Sequence, residues 1–165
     1  GGRIMALLTS HIHGPSGNPS GAQGGIIQIR QNIYKTDSTF STTNSYIDTG
    51  LTCSITPTSS GNHILVHCQL TFQPNSPGTC IFRVLRGSTA LDVGVSGGGV
   101  QGLFAGTQDG SRGAYPNTMI LDTGIATTSE TTYKVQVNIS TTSRINGRDT
   151  DYRGCSIMTL MELSA

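Results

Sequence analysis

Charge is the scarcest property of this sequence. Asp, Glu, Lys and Arg make up 12% of its 165 residues, about half the usual share. The net charge is +1, so the chain carries no electrostatic footprint for nucleic acid. Aromatic residues are 5% and Trp is absent, which leaves no stacking platform for single strands. No run of 18 apolar residues occurs, so no helix of membrane-spanning length is encoded. The opening Gly1-Gly2-Arg3-Ile4-Met5-Ala6-Leu7-Leu8 is too short for the apolar centre of a signal peptide with its flanks. Position 1 is not Met; either the chain is processed or Met5 is the native start. There is no CxxC pair and no Cys/His spacing of a zinc site. A chain with so little charge has little to keep it soluble alone, which suits life inside an assembly.

Against these absences stands one recurrent pattern. Short runs of Val, Ile, Leu, Tyr and Thr follow one another, separated by Ser, Thr, Gly, Asn and Pro. In Ser45 to Phe72, Leu51, Cys53 and Ile55 alternate with polar neighbours. After a turn cluster at Pro57 to Asn62, Ile64, Val66, Cys68, Leu70 and Phe72 alternate again. Period-two alternation means strands with one buried and one wet face. Glycine contributes 22 residues, and Ser with Thr about a quarter of the chain. This is turn and strand-surface chemistry, since the apolar alternation runs through it.

The spacing predicts strands near 26–36, 45–56, 62–73, 79–86, 89–95, 100–106, 117–122, 130–140 and 155–163. Eight or nine strands at this interval predict a single all-β domain over 25–165, an antiparallel β-sandwich of jelly-roll type. Residues 1–24 are full of breakers and read as an extended N-terminal arm. The loops expected to meet partners are 74–78, 107–116 and 141–154, the last two being long, polar and rich in Gly, Arg and Asp. Partner-contact candidates are therefore His11, Ile12, His13, Pro15, Asn18 and Pro19 in the arm, and Arg112, Tyr115, Arg148, Asp149 and Tyr152 in the loops. The core is thin in large side chains, so burial against copies of the same chain is expected. Open sheet edges need cover too, and subunit contact supplies it.

Few motifs carry chemistry. Gly94-Val95-Ser96-Gly97-Gly98 matches a nucleophile elbow, but that device needs a helix after the serine. The sequence continues Gly99-Val100-Gln101-Gly102, a glycine-rich turn. A hydrolase built on Ser96 is accordingly the rival from another class, and no catalytic residue and no cofactor is assigned. His11 and His13 point the same way in an extended chain. Three copies on a three-fold axis would gather six imidazoles, an octahedral set for a transition metal, although packing or solvated histidines are the preferred reading and no metal is assigned. His63 and His67 share the strand face opposite Ile64 and Val66 and read as solvent- or subunit-facing. Asp149 and Asp151 lack the pattern of a calcium loop. The Asn138-Ile139-Ser140 sequon falls inside an expected strand. Arg83 has outward parity, facing a strand neighbour or another subunit. Cys53, Cys68 and Cys80 share parity with apolar neighbours and are expected as reduced core thiols; Cys155 opens the last strand.

Taken in order, Phe40-Ser41-Thr42-Thr43, Ser45-Tyr46-Ile47-Asp48-Thr49-Gly50-Leu51, Ser54-Ile55-Thr56-Pro57, Ile64-Leu65-Val66, Phe82-Arg83-Val84-Leu85-Arg86-Gly87, Leu121-Asp122, Ala126-Thr127-Thr128-Ser129, Thr132-Tyr133-Lys134-Val135-Gln136-Val137 and Ile157-Met158-Thr159-Leu160-Met161-Glu162-Leu163 resemble a β-domain of tailed-bacteriophage virion proteins. The resemblance covers about 25–165. Gly124-Ile125 stands where that family has a Pro-containing turn. The resemblance supplies no catalytic residues. It implies a structural or host-contact module on the outer surface of the virion. The leading role is a homotrimeric head decoration (cement) protein bound to the major capsid protein through sandwich and arm. The alternative is a receptor-binding tail-fibre tip or head-fibre domain, where loops 107–116 and 141–154 would meet a host receptor. Neither role involves nucleic acid or membrane. Phage fibre proteins use HxH pairs to hold metal, so the resemblance extends that use to His11 and His13 only where the arm follows the axis.

Overall fold

A computed structural model describes residues 25–41, 44–91, 94, 100–109, 113, 115–148 and 152–165. The described chain is all β, with no helix. Its strands are β1 (Ile26–Tyr34), β2 (Ser38–Phe40), β3 (Tyr46–Ile55), β4 (His63–Gln69), β5 (Phe72–Pro74), β6 (Pro77–Arg86), β7 (Thr89–Leu91), β8 (Phe104–Asp109), β9 (Asn117–Asp122), β10 (Thr131–Ile139), β11 (Ser143–Ile145), β12 (Gly147–Arg148), β13 (Tyr152–Arg153) and β14 (Ser156–Leu163). The long strands fall where alternation places them. Two regions differ. The expected strand 62–73 divides into β4 and β5, and the expected loop 141–154 carries β11, β12 and β13.

Two main antiparallel sheets form a β-sandwich-like body. One has the order β1-β14-β4-β9; the other runs β3-β10-β6, with β7 and β8 sharing the far edge of β6. The pairings are nested: β1 with β14, β3 with β10, β4 with β9, and β6 with β8. A third, small sheet, β2-β11-β5, lies beside the two-stranded β12–β13 ladder.

Alternation fixes which side chains meet between the sheets. In β4, Ile64, Val66 and Cys68 are buried, while His63, Leu65 and His67 are half-buried on the other side. Leu51, Cys53 and Ile55 of β3, Tyr133, Val135 and Val137 of β10, and Met158 and Leu160 of β14 complete the common core. All four phenylalanines form one chain of ring contacts. Phe40 stacks on Phe72 at 6.3 Å, Phe72 meets Phe82 edge-on at 5.0 Å, and Phe82 lies 6.1 Å from Phe104. β1 closes one side of the sandwich by side-chain to backbone bonds, Asn32 Nδ2 donating to Thr52 O at 2.7 Å and Gln28 Nε2 to Thr56 O at 2.7 Å. The register of β3 slips against β10 between Lys134 and Gln136. Gly50 sits in this bulge at φ +90°, and a Cβ there would lie 2.5 Å from the Tyr34 hydroxyl, so both conformation and space require glycine.

Cys53, Cys68 and Cys80 are buried, and no disulfide joins any of the four cysteines. Burial pushes the Cys68 thiol up to about 12 and that of Cys80 to about 11, so neither is a nucleophile at neutral pH. Cys155 precedes β14 by one residue and is half-buried.

Candidate functional site

The chemistry of the molecule lies in polar clusters whose groups are largely engaged with one another, while Asp37 Oδ1, Arg144 Nε and His63 Nδ1 are buried atoms with no hydrogen-bond partner among the described residues. In the interior, Asp122 at the end of β9 accepts from Arg86 Nη1 at 2.6 and 2.9 Å, from Tyr133 Oη at 2.8 Å and from the Gly124 amide at 3.0 Å. The cluster joins β9 of one sheet to β6 and β10 of the other. Burial and the adjacent Asp122 carboxylate both raise the Tyr133 pKa, so its hydroxyl stays a donor. Gly124 therefore does have a defined turn, closed by Asp122 instead of a proline, and Ile125 is buried behind it.

Glu162 of β14 is fully buried and has no cationic donor. Asn62 Nδ2 at 2.6 Å, the Thr58 amide at 2.7 Å and Thr58 Oγ1 at 2.8 Å serve one oxygen, and Gln28 Nε2 at 2.5 Å serves the other. Burial pushes its pKa up. The bonds from Asn62, Gln28 and Thr58 outweigh burial and hold it at about 2.

On the outer face of the β3-β10-β6 sheet, polar side chains form a continuous ladder. Lys134 Nζ and Gln136 Nε2 donate to Asp48 at 2.9 and 2.6 Å, and Arg83 donates to Gln136 Oε1 at 2.9 and 2.7 Å while lying 3.6 Å over the Tyr46 ring. The Lys134 bond comes before burial in setting the Asp48 carboxyl below its ordinary range. Arg83 thus has the strand neighbours expected of its outward parity.

The loop residues singled out in the sequence are partly brought together. A cleft of about 480 Å³ is lined by Phe72, Gln73, Gly113, Tyr115, Gly147 and Arg153, among others. It joins the 107–116 region to the 141–154 region. Tyr115 is 67% exposed at its wall. Behind it, Asp37 Oδ2 accepts from Arg144 Nη2 at 2.8 Å and Arg153 Nη1 at 2.5 Å. Arg148 and Tyr152, expected on a loop, instead face each other as backbone partners in the β12–β13 ladder. Two-residue strands held by Gly147 and its neighbours carry no alternation for a sequence reading to detect. Arg112, Asp149, Ser96 and the arm residues His11, Ile12, His13, Pro15, Asn18 and Pro19 lie outside the described residues. Arg153 and Gln73, which line the cleft, were not singled out, since nothing in their local sequence marks them.

His67 Nε2 lies 2.8 Å from Asn117 Oδ1, an amide and not a carboxylate. Asn138 is buried within β10. Among the described residues, no three His, Cys, Asp or Glu side chains gather in a way that could hold a metal ion. No family model matches the chain, and no curated protein matches it.

Proposed function

We propose that this protein is a structural protein of a tailed-bacteriophage virion. In this reading it is a trimeric decoration (cement) protein on the outer surface of the head, bound to the major capsid protein through its sandwich and residues 1–24. The observation that carries the reading is the strand connectivity. Counting only the long strands β1, β3, β4, β6, β8, β9, β10 and β14, the first pairs with the eighth, the second with the seventh, the third with the sixth and the fourth with the fifth. We read this nesting as that of a jelly roll, an architecture of viral capsid domains. The ordered resemblance to virion β-domains over 25–165 points the same way. The charge-poor composition, with interior carboxylates engaged by neighbouring side chains, suits a rigid module whose work is contact and not turnover.

A second reading has its own support. The cleft between Tyr115 and Arg153 draws both long polar regions to one place, as a receptor-binding fibre tip would require. Attachment separates the two. Removing residues 1–24 is expected to leave the β-sandwich folded by circular dichroism and to abolish co-sedimentation with capsid shells. A truncated chain that binds shells as well as the full one would contradict the cement role assigned to the arm.

A further inference from the structure

The two outer faces of the sandwich have opposite character. The face of the β3-β10-β6 sheet carries the Asp48–Lys134–Gln136–Arg83 ladder. The face of the β1-β14-β4-β9 sheet is apolar. Register places Ile29, Met161, Leu65 and Leu121 side by side in one row across all four strands. Ile33 pairs with Ile157 in a further row, and Met119 with His67 in the row between. Ile29 is 51% exposed, Ile33 45%, Met119 64% and Leu121 45%.

The charged residues of these four strands are turned the other way. Arg30, Glu162 and Asp122 are the only Asp, Glu, Lys or Arg residues in β1, β14, β4 and β9, and all three share the register of the core residues Leu160 and Ile64. A sandwich sheet that faces water has the reverse arrangement. Some polar groups on the apolar face are paired with one another: Gln31 Nε2 donates to Thr159 Oγ1 at 2.9 Å, and His67 lies 2.8 Å from Asn117. His63 Nδ1 on the same face is buried with no hydrogen-bond partner among the described residues, and Gln69 is exposed. Covering the face would leave the paired groups satisfied, which lowers the penalty of desolvation.

We infer that this face is a self-association surface, occupied by another copy of the same chain. Three observations choose that occupant. First, the face has no carboxylate, lysine or arginine to be matched, so the surfaces complementary to it are equally uncharged, and the same faces of neighbouring copies gathered about the three-fold axis of the proposed trimer are such surfaces. Second, its size is right. Four strands about 4.8 Å apart and about eight residues long at about 3.4 Å each cover roughly 500 Å² in projection. That falls in the range of about 300–600 Å² of the largest patch on a typical monomer, which is often functional, and supplies most of the roughly 800 Å² per partner of a stable interface. Third, β14 is apolar on both sides, with Met158 and Leu160 inward and Ile157, Met161 and Leu163 outward. That is the pattern of a strand covered on both faces. The inference deepens the oligomeric part of the proposed function but rests on the face alone.

The test is the mass of the full chain in solution by light scattering, with single lysines placed on each face. Met119→Lys and Ile29→Lys are expected to weaken self-association by about 100-fold or more, because each interface then holds an unpaired charge. Met119→Lys replaces a largely exposed side chain and is the variant that retains the fold by circular dichroism. Ser54→Lys, on the polar face, is expected to leave the mass unchanged. A wild-type chain that is monomeric at about 100 times its working concentration overturns the inference, whether residues 1–24 or a lipid surface then covers the face. So does an oligomer that Met119→Lys and Ile29→Lys leave intact. A monomer that still coats particles would defeat self-association and spare the virion role; an oligomer dissolved by both lysines that ignores particles would do the reverse.

Discussion

At Glu162 a carboxylate is closed off from water among donors that carry no charge, four hydrogen bonds from Gln28, Thr58 and Asn62 doing what an arginine does for Asp122. Its folded pKa, about 2, lies below its ordinary 4.5. The sign follows: the unfolded chain binds the proton more readily, so the stabilisation is complete above about pH 4.5 and drains away as pH falls towards 2. Thermal unfolding measured from pH 6 to pH 2 is expected to show this loss. Glu162→Gln should destabilise the protein by about 1–3 kcal/mol at neutral pH, since an amide nitrogen then faces donors, and should flatten the acid limb. An unchanged acid limb would show that Glu162 does not set it. The parity of Glu162 matches Met158 and Leu160, so its inward position was legible in the sequence. The neutral donors were not, because Gln28 reaches it from β1 and Thr58 and Asn62 from the β3–β4 loop, both more than 90 residues away in the sequence.

Among the elements, the strands of seven or more residues and the six-residue β9 were legible, whereas β2, β11, β12 and β13, of two or three residues each, were not. The seven residues of β4 alternate without a break, and β3, β10 and β14 keep their expected places. β11, β12 and β13 have two or three residues each and are fastened by a side chain, not by alternation. Asn146, between β11 and β12, adopts φ 62° and is fully buried. Its amide donates to Thr71 O, its Nδ2 to Tyr34 O at 2.8 Å and Thr36 O at 3.1 Å, and its Oδ1 accepts from Ser156 Oγ at 2.7 Å. One residue thus ties the small sheet to the end of β1 and the start of β14. Asn146→Gly keeps the left-handed backbone and loses the side-chain bonds, with an expected cost of about 1–3 kcal/mol. Asn146→Ala loses both and should be less stable than Asn146→Gly by about another 1 kcal/mol. Chemical denaturation of the pair checks the order; equal stabilities would mean the backbone conformation contributes nothing. The apolar outer face was also written in the sequence, in the double-sided run of β14 and in Ile29 and Ile33 of β1. It escaped notice because alternation in β4 and β3 drew attention to the buried side alone.

For the whole molecule, the separation of character between faces is the feature that function must explain. One sheet shows water a polar ladder; the other keeps Asp, Glu, Lys and Arg off its outer register and turns isoleucines, leucines and methionines outward. The two main sheets place these faces on opposite sides of the β-sandwich-like body, with the cleft between Tyr115 and Arg153 lined from the small sheet, the β12–β13 ladder and the neighbouring loops. Such a body can join its own copies on one side while its loops and residues 1–24 remain available for a shell. Cryo-electron microscopy of virions from the source tests this most directly, by locating the chain and counting it. The account predicts hundreds of copies clustered at capsomer junctions on the head, with the β1-β14-β4-β9 faces turned towards one another. A few copies confined to the tail tip would contradict the cement role and make the loop cleft the receptor site.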